Sequence, residues 1–116
     1  MTTPENTRRV LHLADLSREL DQAVTDLGRY EATAVEAEGD YKVARAHAMK
    51  EASGPMDLRK AEADIECDEL FRTWGKAAAL VTMQRAHIRA LHTRIDVGRT
   101  IQATARAEVN LAGLGT

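Results

Sequence analysis

From Leu13 onward, eleven apolar positions recur at steps of three and four: Leu13, Leu16, Leu20, Ala23, Leu27, Tyr30, Ala34, Ala37, Tyr41, Ala44 and Ala48. Their mean period of 3.5 residues is the repeat that keeps one face of a helix turned toward a partner helix. The residues between them are mostly Asp, Glu, Arg, Lys, Thr and Gln. This stripe commits the first half of the chain to a long amphipathic helix. Leucine fills its early positions and alanine its later ones, so the seam should narrow toward the following turn. Gly28 and Gly39 lie off the stripe, and each costs about 1 kcal/mol relative to alanine inside a helix. Either glycine could mark a break, and Gly28 could end a separate first helix.

The clearest punctuation is Glu51-Ala52-Ser53-Gly54-Pro55-Met56-Asp57. Gly54 can close a helix in the left-handed conformation, and Pro55 cannot continue one. Asp57 then offers an acceptor for the free amides of the next helix. That second arm begins near Leu58 and carries Leu58, Ala61, Ile65, Leu70, Trp74, Ala78, Val81, Ile88, Leu91 and Ile95 as its apolar set, with Ile101, Ala105 and Val109 beyond. Its spacing slips between Ile65 and Leu70 as a heptad stutter would. Gln84 and Arg85 leave a polar gap, and Trp74-Gly75 suits a close helix crossing.

These readings give an all-α chain folded as a long, antiparallel, coiled-coil-like helical hairpin. One arm spans residues 8–52, a turn spans 53–57, and a second arm spans 58–112. Residues 1–7 and 113–116 are expected to be disordered or flexible. At ~1.5 Å per residue the arms measure ~60 Å and ~80 Å. The longer one should therefore overhang, exposing Ile95, Ile101 and Val109. With 116 residues in a single domain and few aromatics, an Ala-rich core removes little surface from water per residue. Both points predict a homo-oligomer, in which hairpins assemble into a multi-helix bundle through Leu13, Leu16, Leu20, Leu27, Tyr30 and Tyr41.

Chemistry-bearing motifs are absent from the sequence. It has no Gly-rich phosphate loop, no Gly-x-Ser-x-Gly, no His-Glu-x-x-His and no Cys-x-x-Cys. The histidines His12, His47, His87 and His92 form no Glu-x-x-His pair of the di-metal bundles. The expectation is therefore a protein without catalytic, cofactor or metal site and without a small-molecule substrate. The acidic run Glu62, Asp64, Glu66, Asp68 and Glu69 alternates around the helix and reads as a solvated face. Trp74 and Phe71 read as core, and Cys67 as a small buried hydrophobe. A single cysteine, no secretory leader pattern and no stretch of ~18 apolar residues point to the cytoplasm and away from a membrane.

Charge is distributed unevenly. Residues 1–70 hold nine Lys/Arg against sixteen Asp/Glu, whereas residues 71–116 hold seven against two. Either the acidic arm packs along the basic one, or the basic arm meets a polyanion. Arg85, Arg89, His92, Arg94 and Arg99 mark the candidate face for a nucleic-acid or protein partner. Arg85, Arg89, His92 and Arg99 step by four, three and seven, so they share one side. The aromatic residues on which a single-strand binder stacks bases are missing there.

The segments Leu91-His92-Thr93-Arg94-Ile95-Asp96-Val97-Gly98-Arg99-Thr100 and Ala105-Arg106-Ala107-Glu108 carry a resemblance. So do Tyr41-Lys42-Val43-Ala44-Arg45-Ala46 and Arg59-Lys60-Ala61. Over residues 30–108 the chain resembles small helical-hairpin proteins of unknown function encoded by phages and prophages of actinobacteria and other Gram-positives. The resemblance implies a phage accessory protein of the host cytoplasm, acting in DNA replication or recombination or on a host factor. It assigns no residue a role. From the residues themselves, Gly98 and Arg99 mark a weak point in the second arm, where a kink could present Arg94 and Arg99.

Overall fold

A computed structural model describes residues 4–114, and the expectations for residues 1–3 and 115–116 lie outside the described residues. Three helices follow one another: α1 (Pro4–Glu51), α2 (Met56–Glu66) and α3 (Asp68–Leu114). The chain is an all-α helical hairpin, with no strand among the described residues. Its helices extend beyond the expected bounds, since residues 4–7 open α1 and Gly113 and Leu114 still belong to α3. Gly28 and Gly39 interrupt nothing, and a β-carbon at either would meet only open space. Contacts divide the chain into a termini unit, Met1–Thr25 with Arg85–Thr116, and a turn unit, Asp26–Gln84.

In the termini unit the expected stripe packs against α3. Leu16, Ala23, Leu91 and Ile95 form a buried core, with Leu20 and Ile88 against it. Leu91 is fully buried. The seam residues of α3 here are Ile88, Leu91, Ile95, Gly98, Gln102 and Ala105, all buried or half-buried at alternating steps of three and four. Gly98 is therefore neither a kink nor a weak point. It is the hollow that receives Leu13, whose Cδ2 would lie 2.5 Å from a β-carbon at that position. The expected overhang of Ile95 is also corrected. Ile95 is buried at 4 % exposure, packed in the core cluster with Leu16 and Ala23 of α1, while Ile101 and Val109 stay exposed.

The turn unit is built from smaller residues. Ala48, Ala63 and Cys67 are buried together, with Tyr41, Ala44 and Met49 around them. Tyr41 stacks on Trp74 at 5.5 Å between ring centroids, and Phe71 sets its edge near both rings. Trp74 is half-buried, but Phe71 is 51 % exposed, so it belongs only partly to the core. Gly75 faces open space and makes no helix crossing. Leu58, Ala61 and Ile65 were expected to face inward, yet all three are exposed, Ile65 to 78 %. The inward positions belong instead to Arg59 and Ala63 of α2 and to Cys67, which follows it. Close approach of α2 to Ala48 leaves space for an alanine and a thiol, not for isoleucine.

Arg59 uses its inward position to finish α1. Its Nε and Nη2 both donate to the Met49 carbonyl, at 3.1 and 2.6 Å, one of the acceptors a helix end leaves without an intrahelical donor. Gly54 takes the left-handed conformation at φ 105°, as the turn sequence demands. Pro55, not Asp57, is the N-cap of α2, and no side chain caps it. Asp57 lies inside the first turn, where its charge favours the helix N-terminus. Arg45 Nε donates to Asp64 Oδ1 at 2.9 Å and ties α1 to α2. That hydrogen bond, then the charge of Asp64, raises the pKa of Arg45.

The stutter falls at Cys67. Its backbone turns to φ −100° and ψ 13°, while the amide of Cys67 still reaches the Ala63 carbonyl and Phe71 the Cys67 carbonyl. Arg59, Ala63 and Cys67 are two successive steps of four, which rotate the inward face off a 3.5-residue repeat. The break at Cys67 restores it.

Two outcomes test this packing. Gly28→Ala should stabilise the fold by about 1 kcal/mol. Gly98→Ile, by contrast, should destabilise it by about 1–3 kcal/mol through overpacking against Leu13. Urea titration of both variants decides, and stabilisation by Gly98→Ile would refute the seam. Leu20→Asp should lower the denaturation midpoint sharply at any protein concentration, since it puts a carboxylate into the chain's own core.

Candidate interaction face on the C-terminal half of the third helix

The residues expected to mediate self-association turn inward within the chain. Leu13, Leu16 and Leu20 serve the seam of the termini unit. In the turn unit Leu27 and Tyr30 are half-buried, and Tyr41 packs on the other two rings. The stripe is the hairpin's own seam, because the second arm of the same chain supplies a matching 3,4 register. Whatever the protein binds must use other faces.

All five expected partner-face residues, Arg85, Arg89, His92, Arg94 and Arg99, are exposed on α3 in the termini unit. The structure separates them. One flank is fixed by His87 Nε2, which lies 3.8 Å from Glu19 Oε1 on α1. Steps of seven from His87 give Arg94, Ile101 and Glu108 on that same flank. Arg85, His92 and Arg99 recur at the same interval on the opposite flank, and Arg106 completes their row. Arg89 sits between Arg85 and His92 on that side, but Arg94 does not. Arg106 was not among the expected face residues, although the seven-residue recurrence that includes it is legible in the sequence.

Arg89, Arg99 and Arg106 lie beside an α1 row that offers them no charge. On their flank α1 carries Val10, Ser17 and Val24, also spaced by seven, and both valines are about half exposed. No carboxylate occupies that row. Accordingly Arg89, Arg94, Arg99 and Arg106 make no ion pair among the described residues. The acids of α1 in this unit are partly spent locally, as in the pairs Arg9–Glu5 and Arg18–Asp15. A net positive balance is confined to this unit. Residues 1–25 and 85–116 hold eight Lys/Arg and six Asp/Glu, whereas residues 26–84 hold eight and twelve. The acidic run of α2 and early α3 includes Asp64 and Asp68, which pair with Arg45 and Arg72.

The other flank of α3 is apolar. Ala90, Val97, Ile101, Thr104 and Leu111 join Arg94 and Glu108 in one register, Ala90-Arg94-Val97-Ile101-Thr104-Glu108-Leu111, at alternating steps of four and three. Val97, Ile101 and Leu111 are 53 %, 47 % and 69 % exposed. Ile101, Thr104 and Glu108 border a shallow groove of about 250 Å³ shared with Arg9. In the sequence Ile101 reads as a continuation of the seam, and the second register is hidden behind it. It is visible only once Ile95, Gly98 and Gln102 are known to hold the first.

Among the described residues no polar or charged side chain is buried, and no three His, Cys, Asp or Glu residues converge as metal ligands. Cys67 is buried and unpaired by any disulfide. No described helix is long and apolar enough to cross a membrane. No family model, curated protein or solved structure matches the chain.

Because Arg89, Arg99 and Arg106 are exposed, replacing them together with alanine should leave stability within about 0.5 kcal/mol per site. Arg59→Ala should cost about 1–3 kcal/mol by stripping the Met49 carbonyl of a charged donor. Thermal melts of the two variants side by side test the distinction.

Proposed function

We propose that this chain is a non-enzymatic helical interaction module, acting through protein–protein contacts made by the basic flank of α3 in the termini unit. The supporting observation is the row Arg85, His92, Arg99 and Arg106, set on one helix beside exposed Val10 and Val24. Guanidinium groups next to valines suit a partner that offers carboxylates beside apolar side chains, such as an acidic amphipathic helix. The resemblance over residues 30–108 supports a phage accessory role in the host cytoplasm, directed at a host factor or a replication or recombination protein.

A second reading is nucleic-acid binding by the same flank. It is favoured by the spacing of the row, about 10 Å per step along the helix, and by the absence of a carboxylate from the α1 row of Val10, Ser17 and Val24. Phosphate contacts need only such a row of charge. Against it stand the missing stacking aromatics and the overall charge of −2.

The two readings separate in one pair of experiments. A photo-crosslinking residue at Val24, in the expressing cell, should yield an adduct with one acidic protein. The adduct should disappear in the Arg89, Arg99, Arg106 triple-alanine variant. Titration with labelled single- and double-stranded DNA across a salt series should show no binding. Steep salt dependence, with a log–log slope reduced by about 3 in the variant, would establish the second reading instead. Neither adduct nor DNA binding would overturn both.

A further inference from the structure

The apolar flank of α3 carries a symmetry that names its occupant. Its row runs Arg94, Val97, Ile101, Thr104 and Glu108 at steps of three, four, three and four, the same 3,4 pattern that closes the seam with α1. Arg94 lies seven residues before Ile101 and Glu108 seven residues after it. The two bear opposite charges, and neither makes an ion pair among the described residues. Val97 and Ile101 between them are about half exposed.

We infer that this row is the contact for a second copy of the chain, with the two α3 helices antiparallel and the two-fold axis near Ile101. A two-fold contact brings one patch against itself in reverse. Reversal about Ile101 places Arg94 of each copy against Glu108 of the other, so both charges are answered twice while Val97 and Ile101 leave water at the centre. A parallel copy would set Arg94 against its own equivalent, which is repulsive. Charge complementarity therefore selects both the partner and its direction. The row lies on the flank opposite to Arg99 and Arg106, so the inference stands apart from the partner proposed above, and both contacts can coexist.

Sedimentation equilibrium of the full chain up to about 300 μM, a range that catches weak dimers, tests the arrangement. A monomer–dimer equilibrium is expected. Arg94→Glu and Glu108→Arg should each raise its dissociation constant by about tenfold or more, since each creates two like-charge contacts. The double exchange should restore it, and Ile101→Asp should abolish it. Arg94, Ile101 and Glu108 are all exposed, so circular dichroism of the four variants should show unchanged helix content. A wild-type monomer over the whole range would overturn the inference, as would single exchanges without effect or a double exchange that fails to restore association.

Discussion

Everything in this fold depends on one seam, the meeting of two 3,4 registers carried by the same chain. Within the termini unit it joins Leu16, Leu20 and Ala23 to Ile88, Leu91 and Ile95. Burying a leucine or isoleucine contributes about 1.5–3 kcal/mol, so these few side chains supply a large part of what offsets the order imposed on two long helices. Isolated helices owe little stability to propensity alone, and α1 bears the further cost of Gly28 and Gly39. The seam is what keeps α1 continuous across both glycines.

Close to the turn the same problem is solved with different chemistry. Alanines and a cysteine bury less area each, but they let α2 approach α1 closely enough for Arg59 to reach the Met49 carbonyl and Arg45 to reach Asp64. Hydrogen bonds to charged groups and a three-ring contact replace aliphatic bulk there. The break at Cys67 belongs to this solution. Arg59, Ala63 and Cys67 can all face inward only if the face drifts, and the backbone at Cys67 takes up the drift.

The hairpin was legible because its signals are redundant: a stripe of eleven positions, a Gly-Pro turn and a second periodic arm. The details that escaped share one cause, which is that apolarity and burial are different quantities. Ile65 is strongly apolar and exposed, whereas Gly98 and Gln102 are not apolar and sit in the seam. Two overlapping registers on α3 compounded this, since Ile101 fits the tail of one and the middle of the other. Self-association through Leu13 and its neighbours failed as a reading for a related reason. Periodicity reveals that a face is covered but not which helix covers it. The basic residues were legible as a group, but their division between two flanks depends on the His87–Glu19 approach.

Once α1 has taken one face of α3, the surface that remains is constrained by arithmetic. A helix committed to a seam by a 3.5-residue repeat has two flanks repeating every seven residues, so any residue type placed at that interval becomes a row. On one flank the interval collects Arg85, His92, Arg99 and Arg106; on the other it collects Arg94, Ile101 and Glu108. The first row has one sign of charge and cannot complement itself, so it requires a different, acidic molecule. The second row has an apolar middle and opposite charges at equal distances, so it complements its own reverse. A small hairpin built this way can join a copy of itself through one flank and keep the other free for a partner, with neither contact disturbing the seam.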